Sequence, residues 1–227
     1  MIGRGHYQRI RGNSGFARRV LGGQDAAMAH GRFIVLEGGE GCGKSTQIAY
    51  LAARLRARGD EVVETFEPGA TARGARLRSM LLDDDSSIDP RAELLLMAAD
   101  RAQHVSEVVR PALARGAVVV SDRFVPSSLA YQGVGRGLGV NEVLAVSAFA
   151  QDGVVPDLVI VLDVSSDVAA QRRPEARDRM ERSGVEFHET VRAAYRDLAE
   201  RFGWVVVDGS VAAEAVAALV WAVVASQ

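Results

Sequence analysis

The sequence is nearly devoid of lysine and cysteine. Among its 27 basic residues Lys44 is the only lysine, and Cys42 is the only cysteine. A single cysteine excludes an internal disulfide and favours a reducing compartment, so we expect a cytoplasmic protein. Long apolar runs are missing too. The stretch 211–225 is interrupted by Glu214, and it is shorter than the roughly 18 to 20 apolar residues that cross a membrane. We therefore expect no membrane partner.

Net positive charge is confined to the first 29 residues. The net charge is −2, but residues 1–29 hold five arginines and one acid, which leaves −6 for the rest of the chain. A mildly acidic domain does not favour nucleic-acid binding, because the phosphate backbone selects basic surfaces. We expect no nucleic-acid partner.

Residues 1–29 are rich in glycine and arginine and show no hydrophobic periodicity. This composition is typical of a disordered or dispensable extension, and we predict a single domain over 30–227. Two alternatives remain for the extension. An arginine-rich, acid-poor segment also suits an organellar transit peptide, and translation could start at Met28. The segment has no apolar core of the kind that a secretory signal needs.

Apolar runs alternate with helical patterns from Arg32 onward. The alternation predicts an α/β fold with a five-stranded parallel sheet and helices on both faces. Ligands of such sheets bind beyond the carboxyl ends of the strands. The predicted strands are 33–36, 61–66, 117–121, 158–163 and 204–208. The predicted helices are 44–58, 72–82, 90–115, 124–132, 140–151 and a last one near the C-terminus.

A glycine-rich loop follows the first predicted strand and matches the phosphate-loop pattern G-x-x-x-x-G-K-S. Its glycines let backbone N–H groups converge on phosphate oxygens, and the following helix adds its positive N-terminus. Lys44 would place a compact charge on the β- and γ-phosphates of ATP, where it acts catalytically. The predicted ATP-binding residues are Gly38, Gly39, Glu40, Gly41, Cys42, Gly43, Lys44, Ser45 and Thr46.

Two oxygen-bearing side chains predict a magnesium site. Ser45 follows the loop lysine and would offer its hydroxyl to Mg²⁺. Asp122 follows the third predicted strand and would hold the ion through water. Asp122 is also a good helix N-cap, and the two roles are compatible.

Five segments resemble those of thymidylate kinases, in order and with the family spacing. They are Glu37–Thr46 (EGGEGCGKST), Glu67–Thr71 (EPGAT), Ala98–Gln103 (AADRAQ), Val120–Gln132 (VSDRFVPSSLAYQ) and Tyr131–Gly137 (YQGVGRG). The similarity covers the chain from about Gly31 to its end. It implies a P-loop kinase fold, ATP as donor, dTMP as acceptor and a homodimer.

The resemblance also implies roles on the acceptor side. Arg123 would bind the acceptor phosphate and act in catalysis, and Arg101 would bind the base. Glu40 would lie near the sugar, Ser128 near the thymine and Tyr131 beneath the deoxyribose, although Tyr131 could instead be a core aromatic. Met97 stands where the family usually has a phenylalanine stacked on the base. The predicted acceptor-binding residues are Glu40, Met97, Arg101, Arg123, Ser128, Tyr131 and Gln132.

Five arginines and a proline fall within 172–182. We predict that this segment is a short lid that closes over the donor, with Arg172, Arg173, Arg177 and Arg179 as catalytic candidates. Arginines so placed would stabilise charge on the transferring phosphoryl group. Some family members carry an arginine inside the phosphate loop, where this chain has Gly41. The alternative is a solvated helix face, because acidic residues are interleaved with the arginines.

The predicted reaction is phosphoryl transfer from ATP to dTMP, and two alternatives remain. A kinase for a different small acceptor would share the phosphate loop and the lid. A nucleotide-dependent switch would hydrolyse ATP to regulate a partner, but it has no need of an arginine-lined acceptor side. Acceptor-dependent formation of ADP separates a kinase from a switch.

Overall fold

The computed structural model describes residues 31–82, 87–172, 180 and 182–227. The predicted extension over residues 1–29 lies outside the described residues. So do three of the predicted lid arginines, Arg173, Arg177 and Arg179.

Five parallel strands form one sheet in the order β2-β3-β1-β4-β5, as the sequence predicts. The strands are β1 (Arg32–Glu37), β2 (Val62–Phe66), β3 (Val118–Asp122), β4 (Leu158–Asp163) and β5 (Val205–Asp208). The helices are α1 (Lys44–Ala57), α2 (Ala72–Leu82), α3 (Pro90–His104), α4 (Arg110–Ala114), α5 (Val125–Ser128), α6 (Val140–Gln151), α7 (Ser166–Arg172), α8 (Val185–Phe202) and α9 (Ala213–Ala225). The first strand is central, so the loop that follows it lies at the middle of the sheet's carboxyl edge.

Side chains of β1 alternate between two hydrophobic cores. Phe33 and Val35 pack in a core with residues of α3, α5, α6 and α8, whereas Ile34 and Leu36 pack in a second core with α1 and α9. All four side chains are fully buried. Helices on both faces explain why the strands are continuous apolar runs rather than alternating ones.

Two π-helical segments interrupt the predicted helices. Val105–Val109 joins α3 to α4 within the predicted helix 90–115, and Leu129–Gly135 extends α5 beyond the predicted end at 132. Pro111 follows the first segment, and a proline cannot donate to the carbonyl four residues earlier. Short π segments widen one turn of a helix and often occur at functional sites. The second segment carries Tyr131 and Gln132.

Capping residues are present at the start of α3 and at the end of α8. Asp89 caps α3 by accepting a hydrogen bond from the Arg91 amide at 2.9 Å, and Pro90 occupies the first helical position. Helix α8 ends at Gly203, which has φ 72°. Within the described ranges, no helix is both long and apolar enough to cross a membrane.

Candidate active site

The phosphate loop connects β1 to α1 and holds Lys44 at the carboxyl edge of the sheet. The Lys44 side chain is buried, and its Nζ donates to the carbonyl oxygens of Gly38 at 3.2 Å and Gly39 at 3.1 Å. Burial alone would lower the pKa of Lys44, but nearby anionic groups, Asp122 and Glu40 among them, raise it overall. The lysine is therefore a fixed positive charge where the motif predicts the phosphates.

Two loop glycines are required by close backbone contacts. A Cβ on Gly38, which has φ 137°, would lie 2.4 Å from the Leu162 carbonyl oxygen. A Cβ on Gly41, which has φ 69°, would lie 2.8 Å from the Ala169 carbonyl oxygen. Neither position can take a side chain without moving backbone. An arginine at position 41 is therefore incompatible with this loop conformation.

Ser45 and Asp122 meet at the mouth of the loop, where a magnesium site is predicted. Ser45 Oγ donates to Asp122 Oδ2 at 3.4 Å. The other carboxylate oxygen, Asp122 Oδ1, is buried and has no hydrogen-bond partner among the described residues. A hydroxyl and a carboxylate are oxygen ligands that suit Mg²⁺, which usually completes its shell with water and substrate phosphates. The two residues fit the ion.

Arg123 reaches the same loop from the end of β3. Its backbone has φ 73°, an unusual value for a residue with a side chain, which points to a functional constraint. Its Nη1 donates to Gly38 O at 3.1 Å, and its Nη2 donates to Glu40 Oε1 at 2.5 Å and to Tyr131 Oη at 3.4 Å. Lys44 and Arg123 thus converge on one carbonyl oxygen, that of Gly38.

A buried carboxylate, Glu37, holds the segment that carries Arg123, and sequence reasoning assigned it no role. Its Oε1 accepts from the backbone N–H of Phe124 at 2.8 Å and of Ser127 at 3.2 Å. Its Oε2 accepts from Ser127 Oγ at 2.7 Å and from Tyr195 Oη at 2.8 Å. Burial raises the pKa of Glu37, although Arg123 and these donors oppose the rise. Tyr195 and Ser127 are further residues that the sequence did not reveal.

Arg101 lies at the other end of the site, on α3. The guanidinium is buried, and its Nε and Nη2 both lie 2.9 Å from Glu67 Oε2. Its Nη2 also donates to Ser128 Oγ at 3.1 Å. Gln132, predicted to bind the acceptor, is buried and donates to Glu93 Oε1 at 2.8 Å. Arg101 and Gln132 are therefore pre-oriented by buried acids.

One cavity of about 1030 Å³ joins these groups. Its volume is at the upper end of the range for small-molecule sites, as two substrates would require. Fourteen of the predicted site residues line it: Glu40, Gly41, Gly43, Lys44, Ser45, Thr46, Met97, Arg101, Asp122, Arg123, Ser128, Tyr131, Gln132 and Arg172. Gly38, Gly39 and Cys42 do not line the cavity. The Cys42 side chain instead packs in the core against α1.

Asp100 is a buried acid on α3, next to Arg101 in the sequence, and it gives a testable pH dependence. It is 1% exposed, its Oδ1 accepts from the Gly69 amide at 3.0 Å, and its Oδ2 has no hydrogen-bond partner in the described part of the chain. Burial and the charge of Glu67 raise the pKa of Asp100 from 3.8 to about 6. The folded state therefore binds this proton more tightly than the unfolded state. Protonation of Asp100 therefore contributes fully to the free energy of unfolding below about pH 4, and this contribution is lost as the pH rises to about 6.

Replacing Asp100 with asparagine should remove this loss. We expect the free energy of unfolding of Asp100→Asn, relative to the wild type, to increase between pH 4 and pH 6 and then to level off. Urea denaturation at five pH values from 4 to 8 measures it. Asp208→Asn is the control, because hydrogen bonds from Ser210 lower the pKa of Asp208 and its pH-dependent contribution falls below about pH 4, so its difference from the wild type should stay flat from pH 4 to 8. A pH-independent difference for Asp100→Asn would contradict the expectation.

A parallel α/β sheet, a phosphate loop at its centre and a second cationic cluster in the same cavity define a P-loop kinase. The family model for thymidylate kinase matches residues 36–220. A thymidylate kinase of Leifsonia xyli is 52% identical over 192 residues, which are 83% of this chain and 91% of the relative. The thymidylate kinase of Halothermothrix orenii is 49% identical over 78% of this chain and 88% of its own length, and that of Deinococcus radiodurans is 44% identical over 88% and 99%. The chain belongs to the thymidylate kinase family and is a phosphotransferase.

Proposed function

We propose that the protein transfers the γ-phosphoryl group of ATP to dTMP, giving dTDP and ADP. The observation that carries the proposal is the convergence of Lys44 Nζ and Arg123 Nη1 on the Gly38 carbonyl oxygen. One cation belongs to the phosphate loop and the other to the acceptor side. A donor phosphate and an acceptor phosphate that engaged these two groups would lie next to each other.

The donor side binds ATP through the phosphate loop. Lys44 neutralises the β- and γ-phosphates, and the loop amides and the N-terminus of α1 bind phosphate oxygens. Ser45 and Asp122 would hold Mg²⁺, which would neutralise phosphate charge when bound. These residues place the γ-phosphorus toward Arg123.

On the acceptor side, Arg123 binds the dTMP phosphate and Arg101 with Ser128 faces the base. An oxygen of the acceptor phosphate forms a bond to the γ-phosphorus, and the bond from that phosphorus to the bridging oxygen of ADP breaks. A phosphate monoester has a second pKa of about 6 and is mostly a dianion at neutral pH, so its oxygen needs no general base. The enzyme contributes charge and alignment.

We further propose that Arg172, Arg173, Arg177 and Arg179 form the lid. Arg172 lines the cavity from the last turn of α7 and donates to the Ser210 carbonyl oxygen at 3.3 Å. Because position 41 of the phosphate loop is glycine, an arginine for the transferring phosphoryl group must come from elsewhere. Closure of the lid would also exclude water and so limit hydrolysis of ATP.

A coupled assay of ADP formation tests the function. Purified protein with ATP and Mg²⁺ is supplied in turn with dTMP, dUMP, UMP, CMP, AMP and GMP. We expect ADP to appear with dTMP and to be nearly absent without an acceptor. Equal ADP formation with and without dTMP would identify an ATPase switch. A preference for another monophosphate would identify that nucleotide, rather than dTMP, as the acceptor.

We further propose that Tyr131 excludes the 2′-hydroxyl of ribonucleotides. The side chain lines the cavity, and the Arg123 guanidinium lies over its ring with Cζ 5.2 Å from the ring centroid. Its ring also packs edge-on against Phe187 and Tyr195, as a core aromatic would. The two interpretations differ in what they predict for sugar selectivity.

Replacing Tyr131 with alanine should weaken that selectivity. A buried, unpaired hydroxyl is typically rejected by a factor of about 10². We therefore expect the ratio of kcat/KM for dUMP to that for UMP to fall by about tenfold or more. Tyr131→Phe keeps the ring and should keep the ratio. If Tyr131→Ala loses stability while the ratio stays constant, Tyr131 is a core residue and leaves the site.

We also propose a cytoplasmic homodimer. Helix α2 packs against α3, and α3 packs against α6. Each presents one large exposed apolar side chain: Met80 is 56% exposed, Leu95 59% and Phe149 89%. An apolar face of this kind is typical of a protein interface. Sedimentation velocity should show a dimer for the wild type and a larger monomer fraction for Phe149→Glu.

A further inference from the structure

A chain of buried polar side chains lies behind Arg101. His104 is fully buried, and Thr65 and Glu67 are 8% and 5% exposed. Arg101 and His104 are three residues apart on α3 and so share one face of the helix. Thr65 is in β2, and Glu67 follows that strand. Burying an acid, a base and an imidazole together is costly unless each group is paired.

Each of these four buried side chains has a hydrogen-bond partner. His104 Nε2 lies 2.6 Å from Thr65 Oγ1, and His104 Nδ1 lies 2.9 Å from Glu67 Oε1. Glu67 Oε2 accepts a hydrogen bond from Arg101 Nε and forms an ion-pair contact with Arg101 Nη2, each at 2.9 Å. An ionised carboxylate only accepts hydrogen bonds, so the Nδ1 atom of His104 carries a proton. The Thr65 hydroxyl lies within hydrogen-bond distance of Nε2, on the other side of the ring.

His104 occupies the carboxylate oxygen that Arg101 does not use. Both guanidinium contacts fall on Oε2, whereas a free arginine–carboxylate pair usually forms a fork with one contact to each oxygen. The imidazole, held by Thr65, thereby fixes the plane of the Glu67 carboxylate. That plane sets the direction in which the Arg101 guanidinium enters the cavity.

We propose that His104 is a positioning residue for acceptor recognition. It acts through Glu67 on Arg101 and does not itself line the cavity. The proposal rests on the role of Arg101 at the acceptor base. Without the Nδ1 donor, one buried carboxylate oxygen is unpaired, and Glu67 rotates to satisfy it at the expense of the Arg101 geometry. The donor site is untouched by this change.

Two substitutions at position 104 separate positioning from packing. Asparagine places its amide nitrogen near the position of Nδ1 and keeps a donor to Glu67. Glutamine places its amide nitrogen near Nε2 and loses that donor. Loss of one buried hydrogen-bond partner typically changes affinity by about tenfold, so His104→Gln should raise the KM for dTMP by about that factor. The KM for ATP should stay within twofold, and His104→Asn should recover the KM for dTMP to within about threefold.

Thr65→Val removes the hydroxyl partner of His104 with almost no change in side-chain volume, and so tests the same hydrogen bonds from the Thr65 side. It frees the imidazole to rotate, and we expect a smaller rise in the KM for dTMP. His188→Gln is the matched control, because His188 lies on α8 and its ring contacts Phe187 rather than this chain. It should leave both KM values unchanged.

A second measurement does not depend on turnover. The Arg101 Nε–H is buried and hydrogen-bonded, so its exchange with solvent, followed by ¹⁵N NMR, should be slow in the wild type and in His104→Asn. It should be faster in His104→Gln. A wild type without dTMP-dependent turnover would refute the proposed function, and the exchange rates would still decide the proposal for His104. Equal exchange rates in all three proteins, or an asparagine variant as impaired as the glutamine variant, would overturn it.

Discussion

Replacing Lys44 with alanine will lower kcat by more than a hundredfold. Its Nζ is held at two carbonyl oxygens of the phosphate loop, where it is set to neutralise the charge that develops on the β- and γ-phosphates. Loss of such a clamp raises the barrier by about 3 kcal/mol or more, which corresponds to over a hundredfold in rate. Lys44→Arg will also fail, because a planar fork does not fit a pocket shaped for a compact ammonium group.

The measurement combines turnover with acceptor binding. Steady-state ADP formation gives kcat, and calorimetry gives the affinity for dTMP, which should be largely retained because its proposed contacts lie on Arg123 and Arg101. Arg115→Ala is the control, since Arg115 pairs with Glu61 at the amino end of the sheet. If Lys44→Ala loses less than threefold in activity, the assignment of the donor site to this loop is wrong.

Replacing Arg123 with alanine will lower kcat/KM for dTMP by about a hundredfold or more. The guanidinium is largely buried and holds Glu40 by a charged hydrogen bond. Removing one partner of such a pair costs roughly 2 to 5 kcal/mol, and here it also removes the cation that we propose for the acceptor phosphate. The KM for ATP should change by less than about threefold.

Glycine at the same position separates the side chain from the backbone. Both Arg123→Ala and Arg123→Gly lack the guanidinium, so their activities should be equally low. At φ 73° glycine is unstrained whereas alanine costs about 1 kcal/mol, so the glycine variant should melt at the higher temperature. If the glycine variant retained activity, the guanidinium would have no part in acceptor binding.

The fold and the phosphate loop could be predicted because their signals are local. The phosphate loop is one contiguous segment of eight residues, 38–45, and its glycines are set by backbone geometry. The strands are buried on both faces, so they appear as apolar runs that need no knowledge of the tertiary structure.

The residues behind the site could not be predicted in the same way. Glu37 and Tyr195 are 158 residues apart, and only the packing of α8 against the sheet brings them to 2.8 Å. In the sequence, His104 looks like any polar residue of an amphipathic helix. Only the structure shows that Thr65 of β2 and Glu67 lie beside it. Glu37 did carry a signal, because it is the charged residue that ends an apolar strand, but its partners depend on contacts distant in sequence.

The central place of β1 has a consequence for synthesis of the protein. This strand is the first of the five to leave the ribosome, yet its two neighbours, β3 and β4, begin only at Val118 and Leu158. At the usual 5 to 20 residues per second, the roughly 80 residues between β1 and β3 take about 4 to 16 s to translate. Until then the side chains of Phe33 to Leu36, fully buried in the finished fold, have no sheet to join. The phosphate loop after β1 therefore has both neighbouring strands beside it only after more than half of the chain has been made.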